Sequence, residues 1–308
     1  MAHPASVLVK RTLVVYRLFA SLAEGKLVLL ERYQPISLTR SMEDVMITLC
    51  KACGTSYETA DAHPQRCQIC LDERQYVPVT GQQWIDFDTL VASHTNKWKQ
   101  HQENLFSIRT VPDFAINQRA FILRTTQGNI LWDCIATLDD ATKTLVNSLG
   151  GLKAIAISHP HYYTTMQQWA DQFDAEIYLH ARDRQWIMRD SPRITLWQGD
   201  SLALTTDVSL LRLGGHFAGG SVLHWATGDG ILLCGDILQV TPGANGVSFM
   251  WSYPNMLPLP AETVSDMVHR LNGVSFNTLY GAFEGKDIMA NADRLVQRSG
   301  EKYIACLD

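Results

Sequence analysis

Four cysteines fall within 21 positions, as Cys50-Lys51-Ala52-Cys53-Gly54 and Cys67-Gln68-Ile69-Cys70. Two residues between paired cysteines let a tight turn aim both sulfurs at one ion, and Gly54 supplies the positive φ that such a knuckle needs. Two knuckles together furnish the four thiolates of a closed tetrahedral site, so Cys50, Cys53, Cys67 and Cys70 are assigned to a structural Zn2+. A redox Cys-x2-Cys is the weaker reading, because it would occur once and beside a βαβ unit. A segment this short cannot bury a core alone, and metal binding would supply its folding free energy. Its few basic residues, Lys51, Arg66 and Arg74, point to docking on the rest of the chain or to a subunit contact. Cys134, Cys234 and Cys306 sit in apolar contexts and read as small buried hydrophobes.

A second set of metal-ligating residue types lies further on. Ser158-His159-Pro160-His161-Tyr162-Tyr163-Thr164 places two imidazoles at i and i+2 just past an apolar run, and in extended backbone both would point to one side. Gly214-Gly215-His216-Phe217-Ala218-Gly219-Gly220 adds a third in a glycine-rich loop, and Ile231-Leu232-Leu233-Cys234-Gly235-Asp236 delivers a carboxylate. Three imidazoles and a carboxylate, each at a strand end, are the donor set of a catalytic zinc or iron site. His180 and His224 lie on expected strands nearby. His3, His63, His94, His101 and His269 read as ordinary surface or core residues.

The elements that must position these groups are legible as an α/β pattern. Strands are expected at Phe106 to Val111, Ala120 to Thr125, Ile130 to Cys134, Lys153 to Ser158, Glu176 to His180, Ser209 to Leu213, Ser221 to Ala226, Ile231 to Cys234 and Asn277 to Tyr280. Helices are expected from Asp139 or Asp140 to Leu149, Thr165 to Phe173, near Ala181, Ala261 to Leu271 and Lys286 to Ser299. The chain divides into a poorly defined N-terminal extension (1–45), the cysteine module (46–76), a linker read as helical (77–104) and an α/β domain (105–308). In 1–45, Arg17 interrupts the apolar run and acidic residues follow, which speaks against a signal or transit peptide.

The order and spacing of the histidine set resemble the metallo-β-lactamase superfamily over roughly Leu105 to Ala305. The resemblance implies an αββα sandwich, here with a small N-terminal zinc ribbon. It implies that His159, His161 and His216 are metal ligands, that Asp236 is the carboxylate that commonly bridges two metals, and that Asp133 supports the metal loop without ligating. The family's His-x-His-x-Asp-His motif is incomplete, because Tyr163 and Thr164 replace its last two residues, and Tyr280-Gly281-Ala282-Phe283 fills the region of its final histidine. The expected site therefore holds one ion, Zn2+ or Fe, and a water. Asp236 serves as fourth ligand or general base, and Tyr163, Tyr162 or Glu284 as a proton donor or acceptor near the mouth.

The implied activity is metal-dependent hydrolysis of a small ester, lactone or thioester by an activated water. The alternative is a non-catalytic binding or regulatory protein with a degenerate site. The segment Phe249 to Pro258, rich in aromatics, is expected to wall an apolar pocket. The 308 residues carry 26 Lys+Arg against 31 Asp+Glu, a net charge of −5, and nothing here favours a nuclease or another nucleic-acid partner. No stretch approaches the ~18 uncharged apolar residues of a membrane span. Cysteines spaced as ligands suit a reducing, cytoplasmic setting, and the partners expected are a small-molecule substrate and, in a homo-oligomer, further copies of the chain.

Overall fold

In the computed structural model, residues 18–23, 26–31, 46–59 and 62–307 are described, the first two segments as backbone only. The chain separates into a unit of residues 1–45 and a larger one of residues 46–308. In the first, Leu18–Ala23 pairs antiparallel with Lys26–Glu31, Leu18 opposite Glu31. The remainder of the expectation for 1–45 lies outside the described residues.

Two central sheets dominate the larger unit. The first has seven strands in the order Ile194–Trp197, Glu176–His180, Ala154–Ala156, Ile130–Trp132, Arg119–Leu123, Leu105–Val111 and Thr95–Gln102. The second has six, in the order Ser201–Ala203, Val208–Arg212, Ser221–Trp225, Ile231–Leu233, Thr278–Tyr280 and Asp287–Ile288. Alternation along each strand explains how they stack. Phe121 and Leu123, with Ile130 and Trp132, join the inter-sheet core with Leu223, Leu233 and Tyr280. The intervening Ile122 and Leu131 face the other way, onto Val146, Met166 and Trp169 of helices Asp140–Ser148 and Met166–Phe173. Leu232 and Leu279 likewise turn outward to Val264, Met267 and Val296 of helices Ala261–His269 and Ala292–Ala305. Strands buried on both faces read as continuous apolar runs, and covering both outer faces with helices gives the expected αββα layers.

A smaller three-stranded sheet, ordered Ser56–Thr59, Met46–Cys50 and Trp84–Asp86, carries the first cysteine knuckle. The helical reading of 77–104 is corrected. Only Phe87–Ser93 is helical, and the polar run becomes the edge strand Thr95–Gln102, with Lys97 opposite Arg109 and Trp98 opposite Ile108. An edge strand needs no apolar outer face, and its lysines discourage pairing with another chain. The helix expected from Lys286 begins later, at Ala292, because Asp287 and Ile288 first pair with Tyr280 and Leu279. Cys134 and Cys234 are buried as expected, whereas Cys306 is exposed. No helix of the described residues is long and apolar enough to cross a membrane.

Candidate metal centre

The strand Ala154–Ala156 leads two residues on to Ser158, whose backbone N–H donates to the Asp133 carboxylate at 2.8 Å. His159 follows in extended conformation, and Pro160 then opens a single 3-10 turn, Pro160–Tyr162, that contains His161. A fully extended His159-to-His161 segment is thus corrected: the turn brings the second imidazole round to the first. His216 comes from the loop after Val208–Arg212, where Gly214 and Gly215 both have φ of 77°.

The three rings form a nearly equilateral triangle, with centroids 5.0 Å apart for His159 and His161 and 5.1 Å for each pair with His216. Their ligating nitrogens lie within 4.8 Å of one another. His161 Nδ1 and His216 Nε2 are 3.4 Å apart, close to the edge of about 3.3 Å that tetrahedral geometry gives for Zn–N bonds of 2.0–2.1 Å. His216 Nδ1 faces the Trp251 carbonyl at 2.8 Å, which demands a proton on Nδ1 and leaves Nε2 its lone pair. His159 Nδ1 is 2.9 Å from Ser158 Oγ. All three imidazoles are buried, and Nε2 of both His159 and His161 has no partner. Burial drives their pKa values down, that of His216 to about 4, so all three are neutral and able to coordinate. Buried nitrogens without partners are costly unless an ion uses them, and the residues fit a metal.

Asp236 follows strand Ile231–Leu233 through Gly235. Its carboxylate is buried, Oδ1 has no partner, and burial raises its pKa to about 6. It lines the same cavity as His161 and His216 but lies outside the three-nitrogen cluster. Tyr162 stacks edge-on to His159 at 4.4 Å, and its hydroxyl lies beside Asp236, pulling that carboxyl pKa back down. Tyr163, expected at the mouth, instead packs into the core of the first sheet, where the carboxylate acting on it is that of Asp183. Within the turn consecutive side chains diverge, so of the two tyrosines only Tyr162 lies beside Asp236, buried and away from the mouth. Glu284 is also displaced from that role: it pairs with Lys97 and Arg109. Among the described residues no second group of three ligand side chains assembles beside the histidines.

The cavity, of about 350 Å³, opens over His161, His216 and Asp236. Tyr253 and Pro254 form part of its wall, as expected for the aromatic segment, while Phe249 packs in the helical core behind. Arg74, Gln75, Ile116 and Phe283 also line it, and none was singled out from the sequence for that role. His180 and His224 do not line it.

At the other cluster, Cys50 ends strand Met46–Cys50 and Cys67 precedes the short helix Gln68–Leu71. Cys50 and Cys70 sulfurs are 3.6 Å apart, those of Cys53 and Cys67 3.5 Å. Those separations are too long for a disulfide and close to the edge of about 3.7 Å of a tetrahedron with Zn–S bonds near 2.3 Å. Gly54 takes φ of 80°, as the knuckle requires. Neighbouring thiol donors and the Tyr57 hydroxyl, 3.2 Å away, push Cys67 far below the ordinary thiol range, whereas burial pushes Cys53 up. A buried cluster sharing thiolate character in this way suits one cation at its centre.

The two sandwiched sheets with helices outside define a metallo-β-lactamase fold. The fold is similar to that of DIM-1 metallo-β-lactamase (TM-score 0.53, 14% identity, covering 69% of this chain and 98% of that one). It is similar too to VMB-1 (TM-score 0.51, 12%, 69% and 98%) and to the mono-zinc form of the metallo-β-lactamase FIM-1 from Pseudomonas aeruginosa (TM-score 0.51, 12%, 68% and 96%). No protein-family model matches the chain. The chain belongs to the family of YmaE from Bacillus subtilis (strain 168), described as an uncharacterized protein, with 44% identity over 265 residues, 84% of this chain and 96% of the relative.

Proposed function

We propose that the chain is a metal-dependent hydrolase of a small, uncharged ester, lactone or thioester. In this reading one ion, zinc or iron, is held by His159, His161 and His216, and a structural zinc by Cys50, Cys53, Cys67 and Cys70. The observation that carries the proposal is the trio of buried, neutral imidazoles whose nitrogens converge, two of them with an unpartnered Nε2, where His161 and His216 line a cavity. A bound divalent ion would supply a Lewis acid that lowers the pKa of water toward neutrality.

The chain's own groups supply the rest. Asp236 Oδ1, buried and without a partner, accepts the proton that the attacking water gives up. The Tyr162 hydroxyl beside it favours the ionised carboxylate. Ile116, Tyr253, Pro254 and Phe283 exclude water from the reacting bond, and Gln75 and Gln239 offer amides without charge. Arg74 is the one Lys or Arg among the described lining residues, and its guanidinium is already taken by Asp72 and the His216 carbonyl. Beyond the ion, an anionic substrate has no free Lys or Arg among the described lining residues to meet it, which favours a neutral acyl group and speaks against nucleic acid. Unpaired cysteines serving as ligands support a reducing, cytoplasmic setting.

The test is a hydrolysis screen with aryl esters, lactones and thioesters on the wild type, His216→Ala and Asp236→Asn. Asp236→Asn is expected to lower kcat about 100-fold or more, the usual reach of a general base. Activity that survives His216→Ala unchanged would overturn the proposal, and a metal-loaded chain without activity on any of them would favour the non-catalytic reading.

A further inference from the structure

The segment after the second cysteine knuckle runs directly behind the histidine centre, and Arg74 makes the connection. Its Nε and Nη2 donate to the two oxygens of Asp72, each at 2.7 Å, and its Nη1 donates to the backbone carbonyl of His216 at 3.0 Å. The guanidinium lies 3.9 Å from the centre of the Phe217 ring and 5.4 Å from both Trp186 and Trp251. Phe217 in turn touches all three histidine rings, with centroids 5.5, 4.9 and 5.0 Å from His159, His161 and His216. A planar fork held by a carboxylate on one side and stacked on aromatic rings has little freedom, so the carbonyl it binds is fixed as well.

Two further ties run the same way. The Glu73 carbonyl accepts from Ser252 Oγ at 2.8 Å and Asn255 Nδ2 at 2.7 Å, and the residue before Ser252, Trp251, is the one whose carbonyl holds His216 Nδ1. On the other side, Ser56 N and Oγ both donate to the Thr164 carbonyl, at 3.2 and 2.6 Å, three residues beyond His161. The module that carries the cysteines therefore grips both histidine loops.

We infer that the cysteine module is part of the construction of the histidine centre, with Arg74 as the positioning residue that fixes His216. This rests on the metal reading above. Arg74 cannot itself coordinate a cation and acts only through the His216 backbone. Order imposed by an ion at the cysteines is passed to His216 through Asp72, Glu73 and Arg74, so the two sites are thermodynamically coupled and each, when filled, raises the affinity of the other.

The test is a Co2+ titration of the full-length metal-free chain. Cobalt bound by thiolates shows sulfur-to-metal charge-transfer bands, whereas the imidazole site contributes only d–d bands, so one titration reads both. Arg74→Met is expected to weaken cobalt binding at the histidines about 10- to 100-fold, the usual cost of removing an outer-sphere partner. Its d–d envelope should move toward that of His216→Ala while the charge-transfer bands stay unchanged, a signature that general loosening of the fold would not give. Arg74→Lys, which keeps the charge and loses the fork, should recover no more than part of the loss. If Arg74→Met does not fold, the double variant Ser252→Ala/Asn255→Ala cuts the second tie with Arg74 in place and should weaken the same site about fivefold or more. Histidine-site affinity unchanged in the folded variants would overturn the coupling alone. A wild type with no histidine-dependent cobalt would overturn the metal reading and the coupling together.

Discussion

The Asp133 carboxylate accepts the backbone N–H of Ser158 at 2.8 Å, tying the end of one strand to the residue that precedes His159. Asp133 itself has φ of 59° and is buried, which raises its pKa to about 7. Asp133→Ala leaves a buried donor unsatisfied and puts alanine in a left-handed conformation, costing about 2 kcal/mol of stability and loosening the His159 loop. Asp133→Asn keeps an acceptor oxygen and a residue that tolerates this φ, and should hold metal nearly as well as the wild type. Thermal unfolding and metal content of the two variants check the contrast.

Gly235 lies between Cys234 and Asp236, has φ of 53°, and has no room for a methyl group: an added Cβ would overlap the Ser158 side chain. Gly235→Ala should therefore displace Ser158 or Asp236 and reduce kcat more than it raises KM. Steady-state kinetics on whichever acyl substrate the screen identifies measures the split.

The candidate ligand residues were legible because each follows an apolar run, and strand ends are local features of a sequence. His159, His161, His216 and Asp236 all appear in one cleft or at its floor for that reason. Arg74, Gln75 and Ile116 were not legible as lining residues, because their approach depends on how separate segments dock, which no local pattern encodes. Of the two tyrosines offered for one role, Tyr163 turns into the core because a 3-10 turn directs successive side chains differently from an extended strand. The strand Thr95–Gln102 was hidden by its position at an edge, where charged residues replace the apolar alternation.

Arg119 joins the two sheets from within. It is 1% exposed, donates through Nε and Nη2 to the Gly281 carbonyl at 3.1 and 2.8 Å, and pairs with Asp287. Arg119→Met strips a largely buried carboxylate of its partner and should cost about 3 kcal/mol, read as a lower midpoint in urea unfolding. The cysteine site, whose ligands Arg119 does not touch, should keep its metal.

His101 provides a pH signature away from both clusters. Burial, with Arg119 and Lys99 nearby, lowers its pKa to about 4, against the opposing pull of Asp287 and Glu284. The folded pKa is below the unfolded one, so the unfolded chain takes up its proton first as pH falls. This contribution to stability is present at neutral pH and is lost between about pH 6.5 and pH 4. The melting temperature of His101→Gln should fall less than that of the wild type between pH 7.5 and pH 5.

Metal analysis of the purified full chain, alongside His159→Ala/His216→Ala and Cys67→Ser/Cys70→Ser, tests the metal reading most directly. The wild type should carry about two ions per chain and the histidine variant about one, retained at the cysteines, because four thiolates bind tightly enough to stay filled even when the coupled imidazole site is empty. The cysteine variant should lose its own ion and bind the other more weakly. A histidine variant that keeps the full wild-type metal content would contradict the assignment of His159, His161 and His216 as a metal centre, and with it the hydrolase.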